Sequence, residues 1–175
     1  QELRALNMPS VRFAVSVESA ELDAYGADEV RFLISANAGE ELGRISRIAS
    51  GGELSRIMLA MKTVFSKNDP VGTLVFDEID TGVSGSIADK MGRLITDMGA
   101  SAQVMAITHL PQVASKGSAH YLVYKEFSEQ QAVSRIKKLE GEERTREIAR
   151  MLSGSTVTPQ AFANAEVLLG TDRKN

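Results

Sequence analysis

Thr73-Leu74-Val75-Phe76, followed directly by Asp77 and Glu78, constrains the fold more than any other segment. The run is short, apolar and β-branched at its centre, and Pro70 and Gly72 precede it. That pattern predicts a strand buried on both faces, as in parallel α/β sheets. Buried carboxylates are costly unless paired or metal-bound. Asp77 and Glu78 are therefore expected at the carboxyl end of the strand, where open α/β sheets place ligands. The plainer alternative makes Glu78 and Asp80 solvated loop acids. Ala102 to Ile107 repeats the pattern, a short apolar strand ending in polar Thr108 and His109.

Ser50-Gly51-Gly52-Glu53 supports two readings. As a Ser-x-x-Glu capping box, the serine oxygen and the glutamate carboxylate satisfy free amides at a helix start. Two glycines fit that role poorly, since each costs about 1 kcal/mol relative to alanine inside a helix. Glycine is useful where something approaches the backbone closely, and amides at a helix N-terminus bind phosphate. The pair therefore also suggests an anion site.

The remaining chain reads as alternating strands and amphipathic helices. Val11, Phe13, Val15 and Val17 alternate with polar or small residues, predicting a half-buried strand over 11–18. A turn over 23–28 and a second strand over 29–36 complete a hairpin, and 37–43 is a loop. The helix opened by the glycine pair carries Leu54, Ile57, Met58, Met61 and Val64 at helical spacing, a core stripe. A helix from Ser84 or Gly85 to Met98 points Ile87, Met91, Leu94 and Ile95 inward. Pro111 starts a brief helix that Gly117 ends. Strands follow around His120, read as structural, and over 131–139. Helices over about 141–153 and 158–169 close the pattern, with Gly154 between them. Arg135, Lys137 and Lys138 form one compact basic cluster, read as a solvated strand face rather than a DNA contact.

Composition narrows the class. A chain of 175 residues with 43% hydrophobic content can bury one sizeable core. A formal charge of −3 gives no bulk attraction for nucleic acid, so any DNA affinity must be local or come from other parts. The absence of cysteine removes disulfide and thiol chemistry. No apolar stretch is long enough for a membrane-spanning helix. The first residue is Gln1, which fits the expectation of a piece of a longer protein.

Taken together, the motifs resemble those of ABC-type ATPases. Ser50 to Glu53 is similar to the signature motif, residues 74–78 to a Walker B strand, Asp80 to a D-loop position and His109 to the switch histidine. No Walker A loop is present. Transporter ATPases follow the glutamate with proline and spell the D-loop differently, whereas this chain has Asp77-Glu78-Ile79-Asp80-Thr81-Gly82-Val83-Ser84-Gly85. With Ala49 to Arg56 before it and Thr108 to Ala114 after it, that string resembles the RecN-like family, bacterial DNA-repair relatives of the SMC proteins. The resemblance covers roughly residues 8–169. Ala38 departs from it, standing where proline is expected.

The resemblance implies an α/β fold, the C-terminal half of an ABC-type P-loop ATPase head, with a mixed sheet, flanking helices and β-hairpins. Residues 1–7 would be the stub of a returning coiled coil, 8–169 the C-terminal lobe of the head and 170–175 a frayed tail. It further implies ATP and Mg²⁺ as cofactors. Asp77 would hold the Mg²⁺ shell through water, Glu78 would orient and deprotonate the attacking water, and His109 would sense the γ-phosphate and hold that water in line. Ser50, Gly51, Gly52 and Glu53 would cradle the γ-phosphate of an opposite subunit, with Asp80 at the same seam. The implied partners are the N-terminal half of the same head with its Walker A loop, a second head in an ATP-dependent homodimer, and DNA through the full-length protein. The implied setting is cytoplasmic and nucleoid-associated, without a membrane. The activity would be ATP hydrolysis serving DNA double-strand-break repair and recombination, absent from this chain alone. A transporter subunit is the alternative that the D-loop spelling opposes. A non-catalytic scaffold is the alternative that intact Asp77, Glu78 and His109 oppose.

Overall fold

The computed structural model describes residues 2–45, 51–65, 71–77, 79–83, 85–127 and 131–171. After a short helix α1 (Glu2–Ala5) the chain forms a long hairpin, β1 (Arg12–Asp23) and β2 (Gly26–Ser35). The pair runs antiparallel from Arg12↔Ser35 to Asp23↔Gly26, with an irregularity between Ser19 and Asp23. Its turn is tighter than the predicted 23–28. Asp23 Oδ1 accepts from the amides of Tyr25 at 2.7 Å and Gly26 at 3.1 Å, an Asx turn that lets two residues reverse the chain. A two-residue strand, β3 (Gly43–Arg44), pairs with β2.

Helix α2 (Gly51–Phe65) leads to β4 (Thr73–Asp77), α3 (Gly85–Met98) and β5 (Gln103–Ile107). Strands β4 and β5 pair in parallel from Thr73↔Gln103 to Asp77↔Ile107, with α3 as the crossover. The main core lies beneath this unit: Leu59 and Ala60 of α2, Leu74 and Phe76 of β4, and Ala88, Met91 and Met98 of α3. A second cluster joins Ile57 to Met8 and Ile34, so α2 anchors the hairpin as well. A short helix α4 (Pro111–Ala114), a hairpin of β6 (His120–Phe127) and β7 (Ala132–Leu139), and the helices α5 (Gly141–Ser153) and α6 (Pro159–Leu169) complete the chain. Ile148 and Ala149 pack against Ala161 and Ala165 between the last two helices. Among the described residues no helix is long and apolar enough to cross a membrane.

Three expectations need correction. Strand β4 is buried on one face only: Leu74 and Phe76 point into the core while Val75 is 58% exposed. The α2 stripe is rotated from the predicted one, because its two packing partners draw in Ile57, Leu59 and Ala60 and leave Met58 and Val64 outside. The apolar face of β1, expected to be half-buried, is open: Phe13, Val15 and Val17 stand in solvent beside Val30 and Phe32 of β2.

Candidate functional site

Parallel pairing brings the ends of β4 and β5 side by side, so the residues that follow each strand emerge together. Asp77, paired with Ile107, is exposed on the open face of the two-stranded unit. No hydrogen bond or ion pair engages its carboxylate among the described residues, which leaves it available to a cation. Three residues on, the chain folds inward. Ile79 and Val83 are buried on either side of Asp80, and the Val83 amide donates to the Asp80 carbonyl at 3.0 Å, closing a turn.

Asp80 has no exposed surface. Its Oδ2 accepts from the Thr108 hydroxyl and, at 3.1 Å, from the His109 amide. Thr108 Oγ1 in turn accepts from the Leu110 amide at 3.0 Å, which orients the hydroxyl proton toward the carboxylate. Hydrogen bonds to a charged acceptor are worth about 1.5–3 kcal/mol each, and a buried carboxylate is stable only with such partners. The burial rules out the solvated-acid reading for Asp80. The other carboxylate oxygen, Oδ1, is shielded from solvent with no well-aligned hydrogen bond, and His109 Nδ1 lies 3.2 Å from it. The His109 ring is 66% exposed, so one edge faces Asp80 while the rest is open.

The signature segment meets this turn from the other side. A Cβ on Gly52 would lie 2.6 Å from the Thr81 carbonyl oxygen, a contact no side chain tolerates, whereas a Cβ on Gly51 would meet nothing within 4 Å. The two glycines thus have different reasons. Gly52 lets the α2 N-terminus sit against the backbone of residue 81, and Gly51 is open to the outside. Glu53 is half-buried in the first turn of the same helix. Ser50 and Glu78, and with them the capping box and the second carboxylate of the pair, lie outside the described residues.

The structure therefore places Asp77, Asp80 and His109 at the carboxyl ends of β4 and β5, with Gly52 against the adjoining turn. Sequence reasoning assigned no part to Thr108 or to the Thr81 carbonyl. Thr108 was findable, since a hydroxyl immediately before a histidine at a strand end suits a short Ser/Thr turn. The Thr81 contact was not, because a backbone carbonyl leaves no mark in side-chain identity.

No protein-family model matches the chain. The head domain of Smc from Pyrococcus yayanosii, solved with a coiled coil and joint, superposes with a TM-score of 0.64 at 23% identity, over 87% of this chain and 28% of that one. A chain from a structure described as the structural biochemistry of ATP-driven dimerization and DNA stimulated activation of SMC ATPases superposes at 0.53 with 19% identity, over 89% of both. In sequence, the DNA repair protein RecN of Treponema pallidum is 44% identical over 174 residues, 95% of this chain and 30% of that protein. Further bacterial relatives of the same name are 40–43% identical. The fold is thus that of a lobe of an SMC-type ATPase head. Within that class the chain belongs to the RecN family, and it spans about three tenths of the length of the relatives it matches.

Proposed function

We propose that this chain is the C-terminal lobe of an ATP-binding and ATP-hydrolysing head in a RecN-type protein that acts in DNA double-strand-break repair and recombination. Residues 8–169 form the lobe, residues 1–7 the end of a returning coiled coil and 170–175 a tail. The reading rests on one observation above others, the meeting of Asp77, Asp80 and His109 at the carboxyl ends of two parallel strands. The names of the relatives and the ATP-driven dimerization described for an SMC neighbour support it.

Phosphoryl transfer asks a protein chiefly for positioning and charge stabilisation. The exposed, unengaged carboxylate of Asp77 suits a Mg²⁺ ion, which keeps most of its waters and takes few carboxylates; Mg²⁺ would neutralise phosphate charge. Glu78 activates the attacking water and His109 orients it. Ser50, Gly51, Gly52 and Glu53 face the nucleotide of a second head. The rest of this head, with the Walker A loop, comes from the N-terminal part of the same protein. It covers the apolar faces left open on all three sheets, among them Val75, Met105 and Ile107 on β4 and β5. DNA is engaged through the whole protein, in the cytoplasm at the nucleoid.

A complementation assay tests the trans arrangement. Gly51→Asp has room at its Cβ, which meets nothing within 4 Å among the described residues. It should leave ATP binding to one head intact and block ATP-dependent dimerisation, through bulk and through charge set against phosphate. Mixed with a Walker A lysine variant, it should restore partial ATPase activity, because one site of the heterodimer carries both lesions and the other neither. Heterodimers that form and yet stay inactive would overturn the assignment.

A further inference from the structure

Asp80 matches a D-loop position in sequence, and that match assigned it to the nucleotide seam. The geometry points to a different part for it: we propose that Asp80 is a positioning residue that fixes the tautomer of His109, holding the ring proton on Nδ1 and leaving Nε2 as a bare acceptor. This deepens the reading above and rests on His109 facing the reacting phosphate and water.

Asp80 is fully buried in its own lobe, with Oδ2 already taken by Thr108 and the His109 amide. It has no free edge for a ligand. Oδ1 is the remaining acceptor, sealed from water, and the histidine ring is 3.2 Å away through Nδ1. A sealed carboxylate oxygen is stabilised by a donor and destabilised by a facing lone pair. Of the two neutral tautomers, only the one protonated on Nδ1 meets that demand. The backbone contact acts in the same direction, because the His109 amide bonded to Oδ2 fixes where the ring can swing. The partner of one ring nitrogen sets the state of the other.

The chemical consequence is specific. A neutral His109 held this way accepts a hydrogen bond through Nε2 and cannot donate one there. In that state it is suited to orient the attacking water, whose hydrogen can point at Nε2. Asp80→Asn reverses the arrangement at nearly constant shape. The amide oxygen can keep the Thr108 hydroxyl and the His109 amide, and the amide NH₂ then faces Nδ1 and forces the proton to Nε2. In serine proteases, changing the aspartate that orients the catalytic histidine to asparagine lowers kcat about 10⁴-fold through the same kind of tautomer reversal.

The test is imidazole ¹⁵N spectroscopy on the full-length protein, labelled at histidine, at about pH 8.5, two units above an ordinary histidine pKa. The His109 signal is identified by its loss in His109→Gln. The expected result is Nδ1 protonated and Nε2 bare in the parent, with the two exchanged in Asp80→Asn. Thr108→Val, which removes only the hydroxyl, should keep the parent tautomer. A parent ring protonated on Nε2, or an Asp80→Asn ring unchanged in a variant whose circular dichroism shows a normal fold, overturns the proposal. Kinetics give the second readout. Asp80→Asn should lower kcat at least about tenfold with KM for ATP unchanged or lower, and Asp80→Glu should not restore it. If His109→Gln leaves kcat unaltered, the reading of His109 at the reaction centre fails, while the spectra still decide what Asp80 does to the ring.

Discussion

The glycine pair shows how one motif can answer to two demands. Gly52 is required by the fold, because residue 81 presents a carbonyl where a Cβ would go, and Gly51 is not. In urea unfolding, Gly52→Ala should cost about 1–3 kcal/mol, the usual penalty for overpacking. Gly51→Ala should leave stability unchanged or raise it by up to about 1 kcal/mol through helix propensity. Equal effects from the two changes would mean that the 2.6 Å contact does not constrain α2. Residue identity marked Asp77 and His109 as candidates because each ends an apolar strand run, and the structure places them at the ends of paired strands. It did not disclose that Asp80 turns inward, although Ile79 and Val83, apolar on both sides of it, were a legible sign of a buried turn.

At the scale of elements, periodicity and the start signal of Pro111 found the described helices and strands of the lobe except the four-residue α1 and the two-residue β3, which are too short to carry a period. Periodicity misjudged which faces are covered. Alternation in β1 and the apolar run of β4 suggested burial, but Phe13, Val15, Val17 and Val75 are exposed. The hairpin of β6 and β7 meets α5 through a polar contact. His120, at the start of β6, is half-buried with Nδ1 unpaired among the described residues. Burial pushes its pKa below the ordinary value, and the positive charge of Arg144 adds to this while Glu147 opposes it. The unfolded chain therefore takes up the proton first. The neutral histidine costs nothing above its unfolded pKa of about 6.5, and stability falls as the pH drops from there toward the lower folded value. Denaturant unfolding at pH 7.5 and 5.5 should show a larger loss in the parent than in His120→Gln. An equal loss in both would remove His120 from the acid response.

The described residues form three separate sheets, each with exposed apolar side chains on one face. Phe13 stacks on Phe32 with ring centroids 5.7 Å apart on one hairpin, and Tyr121, Val123, Phe127 and Ile136 stand out from a single face of another. Exposed apolar surface on this scale marks an interface. The chain purified alone should bind a hydrophobic dye, self-associate in sedimentation velocity and hydrolyse ATP no faster than buffer. Co-expression with the N-terminal part of the protein should remove the first two properties and supply the third. A monodisperse, dye-silent chain would show that these faces need no cover. The order of events during folding follows from the parallel pairing of β4 and β5. Hairpins close locally, in roughly microseconds. Thr73, by contrast, meets Gln103 only after α3 has carried the chain across 30 residues, and such distant contacts are rewarded only once the loop is closed. The grip of Asp80 on Thr108 and His109 is thus expected among the last native contacts to form. On a ribosome it cannot exist until the chain beyond residue 109 has emerged, and the same stretch brings Val113 to the main core, so core and chemistry are completed together.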